Sequence, residues 1–232
     1  MRPKNPAVST GTSVRGRSMN MKCNYRNTRQ ILQAAYQLPY AFPPKTEEEV
    51  DVADPDLSTF NGGKPTVLYC EKDRHIDTIF QLLQHRRQQR VAIVSENEET
   101  LKSIKELATS KKIEFHELFR NNDLDYWMKT TDSLSSYLTI SRLEAVKGLE
   151  FDTVIVADMS HGVIPKHGTP KEEKWREAAI VYVALTRARD ELIITFTGHQ
   201  SEFVDVMKEY VIFESGSNMP FMEKLFKGLD VK

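Results

Sequence analysis

The chain has 232 residues, 28% charged and 40% hydrophobic, with a formal net charge of -1 and a pI near 6.6. That balance excludes a polycation holding nucleic acid by bulk charge, and equally a chain too polar to build a core. Its two cysteines, Cys23 and Cys70, fit no zinc or disulfide framework, and no apolar run nears the ~20 residues of a membrane span.

The first 22 residues are rich in Ser, Gly, Pro and Arg, carry no acid and lack the apolar stretch of a secretory signal. They read as an N-terminal tail or truncation edge ahead of one domain over 23–232, and a cytoplasmic location is expected. Residues 27–38, "NTRQILQAAYQL", place Ile31, Leu32, Ala35 and Leu38 at helical spacing, with Pro39 as the expected stop. Four prolines, the acidic run "TEEEVD" and "NGG" make 39–63 a linker or surface loop.

A regular alternation follows. Strands are expected at 65–70, 90–95, 113–118, 138–143, 152–158 and 191–198. Helices are expected at 73–89, at 97–112 with Asn97 as cap, at 171–188 and, last, at 201–213. Residues 119–137 stand out as a reduced insertion, where Tyr126 and Trp127 could stack on a base, pack into the core or anchor a loop. "VAIVS", "TVIVAD" and "LIITF" are apolar almost without interruption, as strands covered on both faces are. The expected fold is therefore α/β: a doubly wound, mainly parallel sheet.

Ligands in such sheets gather at the carboxyl ends of strands, where "EAVKGLEF" and "MSHGVIPKHGTP" leave. Lys147-Gly148 taken alone reads as a surface turn or as a phosphate contact. Arg187 closes an apolar helix; it either holds the helix C-terminus or aims at a phosphate. No G-x-x-x-x-G-K-[ST] loop exists, because "NGGKPT" (61–66) runs into a proline with no helix behind it. His161 and His167 have no second cluster of ligands beside them, so no metal site is expected.

Three stretches then stand in a telling order: "NYRNTRQI" (24–31), "VKGLEFDTVIV" (146–156) and "VYVALTRARDEL" (181–192). They resemble motifs IV, V and VI of the UvrD/Rep-like superfamily 1 helicases, which lie in or beside the second RecA-like domain. The resemblance implies a RecA-like, P-loop NTPase-like fold whose phosphate loop and magnesium-binding acids belong to a separate first domain. It implies that Tyr25 stacks on adenine, that Arg26 and Arg187 reach the γ-phosphate, and that Glu150 lies near the sugar and phosphates, with Gly148 shaping the loop. ATP and Mg are the implied ligands, held mainly by the first domain. The implied partners are that domain, in the same or another chain, and single-stranded DNA, with 3′ to 5′ polarity. The sequence departs from the family's "TLHSAKGLEF": Arg142, Glu144 and Val146 replace its threonine, histidine and alanine. Thr139, Ser141, Arg142 and Lys147 become the candidates for the nucleic-acid backbone. The alternative is a catalytically inactive RecA-like module that binds protein or nucleic acid. Either way, the chain alone is expected to hydrolyse no ATP.

Overall fold

A computed structural model describes residues 24–44, 58–86, 89–118 and 138–216. The 1–22 tail and the 119–137 insertion lie outside the described residues, as does the stretch 45–57 of the expected linker.

In chain order the elements are β1 (Asn24–Thr28), α1 (Arg29–Ala41), β2 (Ser58–Phe60), β3 (Thr66–Cys70), α2 (His75–Gln84), β4 (Val91–Val94), α3 (Glu98–Ser110) and β5 (Phe115–Leu118). After these come β6 (Leu138–Ser141), a 3-10 turn (Leu143–Val146), β7 (Phe151–Val156), α4 (Lys174–Leu185), β8 (Ala188–Thr197), α5 (Glu202–Asp205) and β9 (Ile212–Ser215). Seven strands form one sheet in the order β5-β6-β4-β7-β8-β3-β9, every neighbouring pair parallel. β1 and β2 pair separately, also in parallel.

Side-chain alternation sorts the core onto two faces. Ala92, Val94, Val154, Val156, Leu192 and Ile194 pack with α1, α4 and α5. Val91, Ile93, Ile155 and Ile193 face the other way, onto Ile79, Leu83, Leu101 and Ile104 of α2 and α3. Both faces are thus covered, and this is why the strands read as unbroken apolar runs. Asn97 caps α3 by accepting from the amides of Glu99 (3.0 Å) and Thr100 (3.3 Å), and Glu98 and Glu99 complement the helix dipole.

Four local expectations are corrected. Pro39 does not stop α1, which runs to Ala41; its missing N–H removes only the rung to the Ala35 carbonyl, within the last turn. Ser58–Phe60, expected as loop, is a strand on β1. The helix expected to reach residue 188 ends at Leu185, and β8 begins at Ala188. The final helix shrinks to Glu202–Asp205, and Ile212–Ser215 joins β3 as the edge strand, with Ile212 N–H donating to the Pro65 carbonyl at 2.8 Å. The segment "NGGKPT" precedes β3 rather than following it, with Gly62 N–H on Gln30 Oε1 at 2.7 Å.

Candidate functional site

In the expected carboxyl-edge position, β4 and β7 are neighbours from which the chain departs to opposite faces, toward α3 and α4. That is a switch point, where open sheets ordinarily hold ligands. Here it is filled from within. Asp158 accepts from Asn97 Nδ2 (2.6 Å), Thr100 Oγ1 (3.2 Å) and the Ser160 hydroxyl. Beside it, His75 Nε2 meets Thr195 Oγ1 at 2.8 Å. Burial holds the His75 imidazole below its ordinary pKa, with the Asp158 charge opposing.

The charged constellation collects instead at the amino edge, which corrects the expectation from fold class. After β6 the chain crosses the sheet by the 3-10 turn, on Leu143, Ala145, Val146 and Leu149, and enters β7 from below. Lys147 (φ -57°, ψ 127°) and Gly148 (φ +88°) are the central pair of a type II turn, closed by Leu149 N–H on the Val146 carbonyl at 3.1 Å. That turn needs positive φ at its third position, hence glycine. Both turn residues are exposed, and Glu150 follows immediately before β7.

Arg187 stands at the matching place before β8. Helix α4 closes through Thr186 N–H on the Tyr182 carbonyl (3.0 Å) and Arg187 N–H on the Ala184 carbonyl (3.1 Å). The guanidinium folds back over the helix end: Nε donates to the Val183 carbonyl at 3.0 Å, Nη1 to the Leu149 carbonyl at 3.4 Å and Nη2 to Thr186 Oγ1 at 3.3 Å. The helix-holding reading is therefore seen directly. One N–H on each terminal nitrogen remains unengaged among the described residues.

Beside Arg187 lies Arg26 of β1, half exposed and ion-paired through Nε with Glu150 Oε1. Burial lowers the Arg187 pKa from its ordinary value, the Arg26 charge lowers it further, and Glu150 and Tyr182 pull the other way. The structure thus brings Arg26, Glu150, Arg187 and the Lys147-Gly148 turn to one edge. Arg26 takes the Glu150 carboxylate, whose charge Arg187 feels without pairing to it, and the half-buried guanidinium has donors to spare, an arrangement that favours an added anion.

Asn27, which sequence reasoning passed over, ties these pieces together. It is buried, and its Nδ2 donates to the Thr186 carbonyl at 2.8 Å and the Ala188 carbonyl at 2.6 Å. An asparagine ahead of a helix reads as a cap, and partners 159 and 161 positions away leave no local signal.

Comparison with known proteins decides what this domain is. The sequence model of the UvrD-like helicase C-terminal domain matches residues 64–199, more than half of the chain. The chain belongs to this family. Lys147, Gly148, Glu150 and Arg187 fall inside the matched span; Tyr25 and Arg26 precede it.

The UvrD-like domain is 36% identical over 77 residues to the "Probable DNA helicase II homolog" of Rickettsia conorii, covering 32% of this chain and 12% of that protein. It is 35% identical over 74 residues to the DNA helicase II of Rickettsia typhi, covering 30% and 11%. The matched stretch is thus about an eighth of those relatives' length. Among solved structures, the C-terminal domain of a possible DNA helicase from Lactobacillus plantarum aligns with a TM-score of 0.55 and 16% identity, over 82% of this chain and 99% of that one. Dbp5 of S. cerevisiae, bound to RNA and ADP BeF3, aligns at 0.52 and 14% identity, over 72% of this chain and 45% of that one. These likenesses establish the fold as that of RecA-like helicase C-terminal domains.

The remaining expected site residues divide. Thr139 and Ser141 are buried in β6, and the Ser141 hydroxyl donates to the carbonyls of Leu118 and Arg142, each at 2.9 Å. Neither reaches the surface, so their assignment to a nucleic-acid backbone is corrected: strand alternation and a fully covered sheet turn both inward. Arg142 is part-exposed but carries Glu98 at 3.0 Å and Glu96 at 3.3 Å. Tyr25 belongs to β1, and the adenine-stacking role expected of it rests on a side chain outside the described set. No group of three or more His, Cys, Asp or Glu that could hold a metal occurs among the described residues, nor does a helix long and apolar enough to cross a membrane.

Proposed function

We propose that this domain is the second half of an ATP-driven motor on single-stranded DNA, giving guanidiniums to an ATP whose phosphates and magnesium are held by a phosphate-loop domain. The observation that carries this reading is the amino-edge cluster. Arg187 has a fork of donors partly unspent, Arg26 lies beside it, and Glu150 is ion-paired with Arg26. A γ-phosphate entering the edge would draw Arg26 off Glu150 and meet Arg187 with bidentate geometry. The freed carboxylate would face the sugar hydroxyls. Developing charge on the transferred phosphoryl oxygens is what such arginines stabilise. The rigid turn at Lys147-Gly148 adjoins this edge, so Lys147 is the contact we assign to the DNA backbone. Arg142 can join only by leaving Glu98.

ATP hydrolysis with single-stranded DNA tests the reading in three samples: the chain, a phosphate-loop domain from a helicase relative, and the two joined. Turnover is expected only in the joined protein. Arg187→Ala should lower its kcat at least about 100-fold, below the span usual for arginine fingers, while the circular dichroism is retained. Wild-type turnover by that variant removes the arginine from the reaction. A joined wild type with no turnover returns the domain to a binding module.

A further inference from the structure

We infer that Asn27 is a positioning residue that sets the aim of Arg187, an assignment resting on the motor reading above. Arginine fingers work by placement. A half-buried guanidinium on a two-residue turn between a helix and a strand gains its direction from the backbone that carries it. The three successive carbonyls of that turn are all pinned. The Arg187 carbonyl accepts from Phe151 N–H at 3.0 Å, while those of Thr186 and Ala188, on either side, accept from the one Asn27 amide at 2.8 and 2.6 Å.

Asn27 is itself fixed. Its carbonyl accepts from the Ser58 hydroxyl at 2.7 Å, and β1 is paired with β2. Because Arg26 is the next residue on the same strand, one amide locks the strand bearing the first guanidinium to the turn bearing the second. Thr186 and Ala188 could not be satisfied otherwise without water reaching a buried edge; both are buried, as is Asn27. The chemistry at position 27 must be double donation. Aspartate has the same shape but presents only acceptors to two carbonyls, and serine keeps one donor of two.

Two measurements test this. The first uses the 232-residue chain and needs no nucleotide: amide exchange at Arg187 and at Ile193, in the middle of β8, in wild type and Asn27→Ala. Exchange at Arg187 is expected to rise at least 10-fold with Ile193 unchanged. Equal acceleration at both sites means general destabilisation and overturns the assignment, and so does no acceleration at Arg187. The second uses the chain joined to its phosphate-loop domain. Asn27→Ala and Asn27→Asp should lower kcat 10-fold or more with KM for ATP changed less than threefold, and Asn27→Ser should recover part of the loss. In an Arg187→Ala background, Asn27→Ala should cost nothing further; a full additional 10-fold loss shows that Asn27 acts elsewhere. Should the joined wild type fail to turn over at all, the motor reading falls, while the exchange result still decides whether Asn27 holds the turn.

Discussion

Arg86 shows what a charged side chain does once the fold has closed over it. Its Nε and Nη2 each meet a Glu191 carboxylate oxygen at 2.6 Å, Nη1 meets the Leu82 carbonyl, and the side chain has no exposed surface. Thr153 Oγ1 also donates to Glu191, at 3.1 Å. Removing the guanidinium leaves a carboxylate that is only one quarter exposed without its partner. Arg86→Met should therefore destabilise the domain by about 3 kcal/mol, the low end for a broken buried pair because Glu191 keeps some water. Urea unfolding with an unchanged m-value measures it, and a loss below ~1 kcal/mol contradicts the burial argument. This residue was illegible in "QHRRQQR", whose first six residues end the helix expected at 73–89 and whose spacing gives no sign of a buried partner. Gly148 was legible, because a glycine after lysine ahead of an apolar strand announces a turn, and its +88° φ bears that out. Local backbone chemistry is written locally, whereas a partner 105 positions away is not.

Among elements, the covered strands of the main sheet were readable, whereas the helix ends and the short strands β1, β2 and β9 were not. Continuous apolar runs exposed β3, β4, β7 and β8 because covered parallel strands have no polar face. The end of α4 lies in "LTRAR", with neither Gly nor Pro, and is set by Asn27 and Phe151 from other elements, so helical periodicity ran on past it. β9 failed similarly: Phe203, Val204, Met207 and Val211 keep helical spacing through a short helix and turns, then the edge of β3 captures the chain. The same tertiary logic places His75 at the start of α2, wedged against Thr195 and near Asp158. The folded state holds its imidazole neutral, so its pKa lies below the unfolded value near 6.5. The unfolded chain then binds the extra proton as pH falls below ~6.5, and stability is lost from there down to the folded pKa. At higher pH the contribution is complete. Unfolding free energy should rise with pH across that window, with a slope of at most about 1.4 kcal/mol per pH unit for this one proton, and His75→Gln should remove that contribution. An identical acid limb in the variant would assign the slope to carboxylates.

For the whole molecule, the amino-edge cluster sets a thermodynamic requirement. Arg26 reaches it from β1, outside the span matched to the family, while Glu150 and Arg187 come from within it. The sequence order of these stretches made the constellation legible through resemblance alone, since composition and periodicity place none of the three residues near another. What resemblance left unread was that Arg26 is ion-paired with Glu150. If the phosphate-loop domain supplies the anion that displaces Glu150, nucleotide and domain association must be linked, and each must strengthen the other by the same factor. Titrating the chain against a separate phosphate-loop domain should show at least 10-fold tighter association with a non-hydrolysable ATP analogue and Mg than without nucleotide, a coupling of about 1.4 kcal/mol. Arg26→Ala should erase most of that increment while leaving nucleotide-free association within about twofold, since an exposed ion pair such as Arg26–Glu150 contributes little in the resting state. Equal affinity with and without the analogue would mean that the guanidiniums face no shared phosphate, because a ligand that binds open and closed forms alike shifts neither.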